Sequence, residues 1–291
     1  TEGIMNSDLL VLNKSDNIFL LEDIHSAVSK WKEILDFDLG GRNGAPKFPM
    51  PNTTQFLLRH AIQSSDDKLM NYVNTILTRM AFGGIYDQIG GGFSRYSVDE
   101  KWHVPHFEKM LYDNGQLVSL YAEAYQATKN ELYKQIVYQT LEFIDRELTT
   151  SEGAFYSSID ADSLNSKDEL EEGVYYVWTT NELQVILKAD FELFSNYYNV
   201  NYYGFWEKDN YVLIRKYSDK EFSEIYKISI SNLNRKVQQW QQILLSVKEK
   251  RKKPRLDDKS LTSWNALMLK GYVDAYCVFN EKIFLTKAIE N

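Results

Sequence analysis

The 291-residue sequence contains no uncharged apolar run of the roughly 18 residues that a bilayer-spanning helix requires. Its first ten residues, TEGIMNSDLL, do not show the basic and then apolar order of a signal peptide. Cysteine is almost absent, and the one that occurs, Cys277, excludes an internal disulfide and is predicted to be a buried spacer in an apolar helix. We therefore expect a cytoplasmic protein without membrane contact.

An excess of positive charge is also missing. Lys and Arg number 33 against 41 Asp and Glu, which gives a formal net charge of -8. Because binding to a phosphate backbone needs a net attractive field, we expect no nucleic-acid partner. The one basic run, from Lys248 to Lys253, ends a long polar helical pattern and is predicted to lie on a solvated helix end.

Apolar and aromatic residues are plentiful. Hydrophobic residues make up 44% and charged residues 25% of the sequence, which is the balance of a globular protein. Aromatic residues reach 14%, including 20 tyrosines and 6 tryptophans. Their flat faces can stack on sugar rings, although tyrosine that fills helix interfaces is the simpler interpretation.

Apolar residues recur every three to four positions through most of the chain, a spacing that predicts helices. The predicted helices cover residues 22–34, 53–63, 67–82, 105–128, 131–148, 218–226, 229–250, 260–279 and 281–291. Short turns between consecutive helices predict antiparallel pairs. Residues 1–17 are polar and unperiodic and are expected to be a linker, whereas residues 18–291 are expected to form one mainly α-helical domain.

Strands are predicted only as insertions. The runs AFYSS and VYYVW, on either side of an acidic segment between residues 160 and 172, predict one small hairpin. A second pair is predicted around residues 202–214. The acidic segment lacks the glycine and the closing glutamate of a calcium-binding EF-hand loop, so we interpret it as a solvated loop.

The segment from Gly83 to Asn114 concentrates glycines and titratable residues. Pro105 is predicted to open a helix, which places His106 and Asp113 on one face two turns apart. Such a pair can exchange protons near neutral pH, although His106 could instead cap the helix or bond a backbone carbonyl. His103 and His106 have the spacing of a metal-binding pair, but no third ligand is suitably spaced, and the glycines lack the order of a phosphate-binding loop. We therefore predict no metal and no cofactor.

A second polar segment, PRLDDKSLTSWN, follows the basic run. Asp257 and Asp258 stand beside Lys259 just before a predicted helix, so one carboxylate can cap that helix while the other stays available. Trp264 and Asn265 follow one turn later. They provide an aromatic face and an amide, the combination expected of a site for a polyol.

Five runs occur in order along the chain: GAPKFP, GGIYDQIGGGFSRYSVDEKWHVPHFEKMLYDN, YSSIDADS, YYVW and LDDKSLTSWN. With them the sequence resembles the spermatogenesis-associated protein 20 family, thioredoxin-domain-containing proteins with a long helical C-terminal region. The resemblance implies an (α/α)6-type toroid of helical hairpins, similar to six-hairpin glycosidases and N-acylglucosamine 2-epimerases. It also implies that the thioredoxin-like domain and the later part of the helical ring are absent from this chain, which makes the toroid incomplete.

These features lead to the prediction of a carbohydrate-active or carbohydrate-binding domain, glycosidase-like or sugar-epimerase-like, whose ligand is a sugar or a sugar derivative. The predicted catalytic residues are His106, Glu108, Asp113, Asp257 and Asp258. The predicted ligand-binding residues are Asp87, Arg95, Tyr96, Trp102, Lys259, Trp264 and Asn265. In this hypothesis His106 is the general acid or base, and either Glu108 or Asp113 orients it.

The alternative belongs to another functional class. A non-catalytic scaffold would bind a partner, or present substrates to the thioredoxin-like domain of the same full-length chain, and its motif residues would hold loops through buried hydrogen bonds. Location discriminates between the two. An open cleft lined by His106, Asp257 and Trp264 favours the enzyme, whereas closed ion pairs favour the scaffold.

Overall fold

The computed structural model describes residues 20–291. The linker predicted for residues 1–17 lies outside this part of the chain. Contacts between Cα atoms separate the residues before Asp36 from a larger unit, Asp36–Asn291. In the smaller unit, helix α1 (Leu21–Lys32) carries Lys30 and Lys32 in its last turn, where cations suit the negative end of the helix dipole.

The larger unit is built mainly from helices. Its α-helices are α2 (Pro51–Ser64), α3 (Asp67–Phe82), α4 (Leu111–Thr128), α5 (Glu131–Phe143), α6 (Thr180–Leu187), α7 (Phe191–Tyr197), α8 (Asp219–Tyr226), α9 (Ile230–Lys248), α10 (Thr262–Phe279) and α11 (Lys282–Glu290). A π-helix (Ile144–Leu148) continues α5, and a 3₁₀ turn (Lys188–Asp190) joins α6 to α7. The sequence pattern does not predict α6 and α7, because each spans only about two turns.

Three helical hairpins form the framework of this unit. Each joins two consecutive helices by a short turn: α2 with α3, α4 with α5, and α10 with α11. Helix α4 packs against α2, α5 and α10, and α3 also touches α5. The first helices of the hairpins are thus neighbours, as are the second helices α3 and α5, which is the packing expected of an (α/α)6-type toroid. The prediction of a mainly α fold with small β insertions is confirmed.

The central position of α4 follows from its sequence, because buried side chains cover most of its circumference. Two glycines set its distance from α10. A Cβ at Gly115 would lie 2.9 Å from the Cα of Met268, and a Cβ at Gly271 would lie 2.8 Å from the carbonyl oxygen of Gly115. The absence of side chains at these positions therefore allows the two backbones to pack in direct contact.

A separate apolar core lies among helices α6 to α9. Buried members of this core include Trp178, Leu183, Phe194, Leu233, Trp240 and Leu244. The indole of Trp240 also donates a hydrogen bond to Asp190 Oδ2 at 2.9 Å, which fastens α9 to the 3₁₀ turn. This core holds α9 so that its last residue, Lys248, reaches into the body of the unit, where it is buried.

Short antiparallel strands connect the helices. They are β1 (Tyr96–Ser97), β2 (Pro105–His106), β3 (Lys109–Met110), β4 (Ser158–Ile159), β5 (Asp162–Leu164), β6 (Leu170–Glu172), β7 (Trp178–Thr179), β8 (Asn210–Tyr211) and β9 (Leu256–Asp257). The pairs are β1 with β2, β5 with β6, and β7 with β8, and the order in the three-stranded sheet is β3, β4, β9.

The structure corrects two predicted elements. The helix predicted from residue 105 begins only at Leu111, because residues 105–106 and 109–110 pair as strands. The predicted hairpin of AFYSS with VYYVW is also wrong. The acidic segment between them forms the hairpin β5–β6, while its flanking strands β4 and β7 pair with β3, β9 and β8.

Two predicted exposures are also corrected. Cys277 is exposed, because the buried positions of α10 lie on the other side of that helix, at Met268, Gly271, Tyr272 and Ala275. Lys248 is 3% exposed although the basic run was expected to be solvated. Its ammonium group pairs with the carboxylate of Asp87 inside the protein, which offsets the cost of removing the charge from water.

Candidate functional site

The segments that precede α2, α4 and α10 meet at one end of the helical framework. Ahead of α2, Lys47 pairs with Ser97, and Ser97 pairs in turn with Pro105 in the β1–β2 ladder. Ahead of α4 and α10, strands β3 and β9 lie on the two sides of β4. Backbone pairing therefore brings the PHFEKM and LDDK runs, which are far apart in the sequence, into one region.

Polar and aromatic side chains from the segment before α4, the first turns of α4 and α10, and strand β6 lie close together, and we call them the mouth cluster. The mouth cluster comprises Arg95, Tyr96, His106, Glu108, Tyr112, Asp113, Glu172 and Trp264.

His106 lies between two carboxylates. Its Nδ1 is 2.8 Å from Glu172 Oε1, and its Nε2 is 3.8 Å from Glu108 Oε2. Its ring stacks on Tyr96 at 5.1 Å between ring centroids. The side chain is 29% exposed. The imidazole is thus held in one orientation while part of it remains open to solvent.

Asp113 is the most perturbed acid of the cluster. It lies in the first turn of α4, is buried, and has an Oδ2 atom without a hydrogen-bond partner in the described chain. Burial raises the pKa of its carboxyl to about 7, against the opposing charge of Arg95 and with a further rise from Glu108. A carboxyl group of this kind can give or take a proton near neutral pH.

Arg95 and the aromatic residues complete the cluster. Arg95 Nη1 lies 3.3 Å from Glu108 Oε2, and its backbone N–H donates to the Glu108 carbonyl oxygen. Tyr96 stacks on Phe48 at 4.9 Å, and Phe48 is 43% exposed. Tyr112 meets Trp264 edge to face at 4.8 Å. The cluster therefore combines charged groups with partly exposed aromatic faces.

The predicted catalytic residues Asp257 and Asp258 lie on β9 and directly after it. Asp257 is cross-strand from Ser158, which is itself opposite Met110, so these three side chains share one face of the sheet. Lys259 Nζ is 2.8 Å from Asp257 Oδ2, and this hydrogen bond lowers the pKa of the Asp257 carboxyl. Asp258 is exposed.

The opposite face of the same sheet borders a cavity. Lys109, Ile159 and Leu256 are cross-strand from one another, and all three line a cavity of about 290 Å³. Asp87 also lines it, whereas the other predicted site residues do not. Its carboxylate accepts hydrogen bonds from Lys109 and Lys248, and these two cations lower its pKa although burial alone would raise it. The sheet thus separates Asp87 from Asp257.

Two predicted ligand-binding residues have internal partners. Trp102 is fully buried, and its indole N–H donates to the Leu39 carbonyl oxygen at 2.8 Å. Asn265 accepts a hydrogen bond from the backbone N–H of Phe155 and donates one to the carbonyl oxygen of the same residue. The structure therefore uses the Trp102 ring in packing and the Asn265 amide to hold the segment that leads into β4.

Sequence reasoning missed several residues of these two regions. Glu172 lies in the acidic segment that we interpreted as a solvated loop, and Lys109 and Lys248 carried no signal that set them apart from surface lysines. Only the strand register shows that Lys109 faces inward, because neighbouring residues in a strand point to opposite faces.

Within residues 20–291, no group of three or more His, Cys, Asp and Glu side chains is arranged to hold a metal ion. No helix in the same range has the length and apolar character needed to span a membrane.

No protein-family model matches the sequence. Human spermatogenesis-associated protein 20 is 35% identical over 261 residues, an alignment that covers 81% of this chain and 33% of the human protein. The chain is a relative of spermatogenesis-associated protein 20. The mouse protein of the same name is 34% identical with the same coverage. The chain therefore spans about a third of the length of these curated relatives of the spermatogenesis-associated protein 20 family.

Several solved structures are similar to the chain, among them a sugar epimerase and a glycoside hydrolase. A sugar epimerase from a ruminal bacterium has a TM-score of 0.42 and 16% identity, and the alignment covers 90% of this chain and 82% of that one. A family 76 glycoside hydrolase, a mannosidase from Bacteroides thetaiotaomicron, has a TM-score of 0.42 and 12% identity, with coverage of 92% and 67%. Similarity of this degree does not assign a reaction to this relative of spermatogenesis-associated protein 20.

Proposed function

We propose that the mouth cluster binds a carbohydrate and carries out acid–base chemistry on it. The observation that carries this proposal is Asp113, a buried carboxyl with a free oxygen and a pKa of about 7, placed among charged residues at the entrance to the helical framework. Proton transfer is most efficient when the pKa of the catalytic group is close to the working pH.

His106 supplies the second proton-exchanging group. Glu172 accepts or shares its Nδ1 proton, which leaves Nε2 on the side of Glu108. A reaction that removes a proton at one position and returns it at another requires both an acid and a base. Two groups in different environments can divide these roles. In this proposal Asp113 and His106 hold these roles, and Arg95 orients both Glu108 and the ligand.

Carbohydrate is the ligand class that best fits the remaining groups. Phe48, Tyr96 and Trp264 offer aromatic faces for the apolar side of a sugar ring, and Asp257, Asp258 and Lys259 offer hydrogen-bonding groups for hydroxyls. The net charge of the chain, -8, disfavours a polyanionic substrate at this surface.

The test is activity on a panel of mono- and disaccharides in D₂O, followed by proton NMR. Deuterium at a carbon-bound position reports epimerisation, and new anomeric signals report hydrolysis. We expect Asp113→Asn to reduce the rate by about 10²- to 10⁴-fold, the usual contribution of a general acid or base. Asp209→Asn makes the same chemical change at an exposed carboxyl and should leave the rate unchanged. Equal rates for the two variants would contradict the role of Asp113.

A specific observation also supports the scaffold function as a second candidate. Trp102, Asn265 and Asp87 all belong to the sequence motifs, and all three are engaged in internal hydrogen bonds. A scaffold for the thioredoxin-like domain of the full-length protein would use the motifs in this way. It predicts that the isolated thioredoxin-like domain binds this chain and that Asp113→Asn does not change the affinity.

A further inference from the structure

The cavity behind the sheet is lined by charged and aromatic side chains that the proposed reaction does not use. It measures about 290 Å³ and lies between strands β3, β4 and β9, the π-helix and the end of α9. Its aromatic walls include Phe143, Tyr156, Tyr175 and Tyr176. Lys253, at its rim, has a side chain that is 50% exposed, so the cavity is reached from solvent.

Cations outnumber anions in the lining of this cavity. The charged side chains are Asp87, Lys109, Arg146, Glu147, Lys248 and Lys253. Glu147 pairs with Arg146 at 2.9 Å and with Lys253 at 2.9 Å, and Asp87 pairs with both buried lysines. Four cations thus share two carboxylates, so the lining has a formal surplus of two positive charges. The two buried ammonium groups share the single carboxylate of Asp87, and burial of a charge that is not fully compensated is costly.

The two buried ammonium groups also have unused hydrogen-bonding capacity. Lys109 Nζ donates to Asp87 Oδ2 at 2.9 Å and to the Gly91 carbonyl oxygen at 2.8 Å. Within the part of the chain that the structure describes, Lys248 Nζ donates to Asp87 Oδ2 alone. An ammonium group has three N–H donors, so donors remain free on both lysines beside the cavity. The other neighbours of these groups are aromatic faces, such as Tyr176 at 4.6 Å from Lys248 Nζ.

Gly90 is what lets these charges converge. A Cβ at this position would lie 2.8 Å from Asp87 Oδ2, 2.9 Å from Lys248 Nζ and 3.5 Å from Arg146 Nη2. Arg146 Nη2 in turn donates to the Gly90 carbonyl oxygen at 2.6 Å. A side chain at position 90 would therefore displace the charged groups, and the glycine-rich loop provides the space in which they meet.

Burial and mutual repulsion act on the lysines in the same direction. Burial lowers the pKa of Lys109 to about 8, with Asp87 opposing this change and Lys248 and Arg146 adding to it. Burial also lowers the pKa of Lys248. An anion in the cavity would stabilise the charged form of both groups.

We propose that this cavity binds a phosphate dianion, free or as the phosphate group of a small molecule. A phosphate group carries about two negative charges at neutral pH, which matches the surplus of two positive charges, and its oxygens accept the unused N–H donors of Lys109 and Lys248. The site shares no residue with the mouth cluster and does not depend on the carbohydrate proposal.

The test is isothermal titration calorimetry of the chain with inorganic phosphate at constant ionic strength. Lys253→Gln, at the rim, is expected to weaken phosphate binding about five- to tenfold, because it removes one charge-assisted hydrogen bond at a partly exposed position. Lys252→Gln is the matched control, because Lys252 is the adjacent residue, pairs with Asp168 and does not line the cavity. Glu147→Gln removes a competing carboxylate and should tighten binding.

Saturable phosphate binding with this order of affinities supports the proposal. It is overturned if the wild-type chain binds no phosphate, if Lys252→Gln and Lys253→Gln weaken binding equally, or if acetate binds as tightly as phosphate at the same ionic strength. Glu147→Gln is expected to bind phosphate more tightly, whereas a loss of folding would weaken binding, so misfolding cannot explain the expected result. Asp113→Asn should leave phosphate binding unchanged, which keeps this test separate from the proposed reaction.

Discussion

Burial acts on Asp113 and on Lys109 in opposite directions, because it disfavours whichever form carries a charge. It raises the pKa of the Asp113 carboxyl to about 7 and lowers the pKa of the Lys109 ammonium to about 8. Both residues therefore change charge close to physiological pH. Asp113 belongs to the mouth cluster, whereas Lys109 lines the cavity behind the sheet.

The shift of Asp113 predicts how stability depends on pH. In the folded chain this carboxyl keeps its proton up to about pH 7, whereas in the unfolded chain it loses it near the ordinary value of 3.8. The folded state binds more protons between these values, so the stability falls as the pH rises through them, by at most about 4 kcal/mol. We expect Asp113→Asn to remove this fall.

The measurement is urea unfolding of wild type and Asp113→Asn at pH 5 and pH 8. The stability of the variant relative to wild type should be higher at pH 8 than at pH 5, where the fall is only partly complete. Asp209→Asn serves as the control at both pH values, since Asp209 is exposed. A difference between variant and wild type that is the same at both pH values would show that Asp113 is ionised in the folded chain.

Removal of the Asp87 charge should have a large effect. Asp87→Asn leaves the ammonium groups of Lys109 and Lys248 buried without their carboxylate, which typically costs about 3–5 kcal/mol. Denaturant unfolding measures the loss, and a second change, Lys248→Met, should recover part of it by removing one of the stranded charges. If the double variant is as unstable as Asp87→Asn, repulsion between the lysines is not the cause.

Single residues were the scale at which the sequence was least informative. The motif containing Asp87 was evident, but its partners Lys109 and Lys248 are separated from it by 22 and 161 positions. A lysine at the end of a polar helix has the same sequence signature whether it reaches solvent or a buried carboxylate. The environment that distinguishes them exists only once the helix has packed.

At the scale of elements, helix periodicity was a reliable guide and strand pairing was not. The predicted limits of residues 67–82 agree with those of α3, and the predicted ends of α4, α8 and α10 agree with the structure. Strands of two residues are too short to show alternation, so Pro105 looked like the first residue of a helix when it belongs to β2.

The close contact of α4 with α10 predicts the effect of a single methyl group. Gly115→Ala places a Cβ 2.9 Å from the Cα of Met268, and backbone atoms at that distance must move apart. We expect a loss of about 1–3 kcal/mol from overpacking, despite the higher helix propensity of alanine. The measurement is thermal or urea unfolding, with Gln126→Ala on the exposed side of the same helix as the control.

A Gly115→Ala variant as stable as Gln126→Ala would contradict this account of the helix contact. Gly271 offers an independent check, because its Cβ would approach the Gly115 carbonyl oxygen from α10. If close packing is the cause, Gly271→Ala should lower the free energy of unfolding to a similar extent.

At the scale of the whole molecule, the order of motifs along the chain anticipated where they meet. The loops before α2, α4 and α10 converge because the first helices of successive hairpins are neighbours, which places their N-terminal ends together. This much follows from a toroid of hairpins. The sequence could not show that one short sheet separates Asp87 from Asp257, since that depends on the register of β3 with β4 and of β4 with β9.

That register determines which side chain of β3 faces the cavity. Lys109 projects to the cavity and Met110 to the opposite side, so a slip of β3 by one position would turn the lysine outward and the methionine inward. Adding or deleting one residue between His106 and Lys109 would thus turn Lys109 away from the cavity and from Asp87. The spacing within the PHFEKM run therefore determines the charge of the cavity as much as the identity of its residues does.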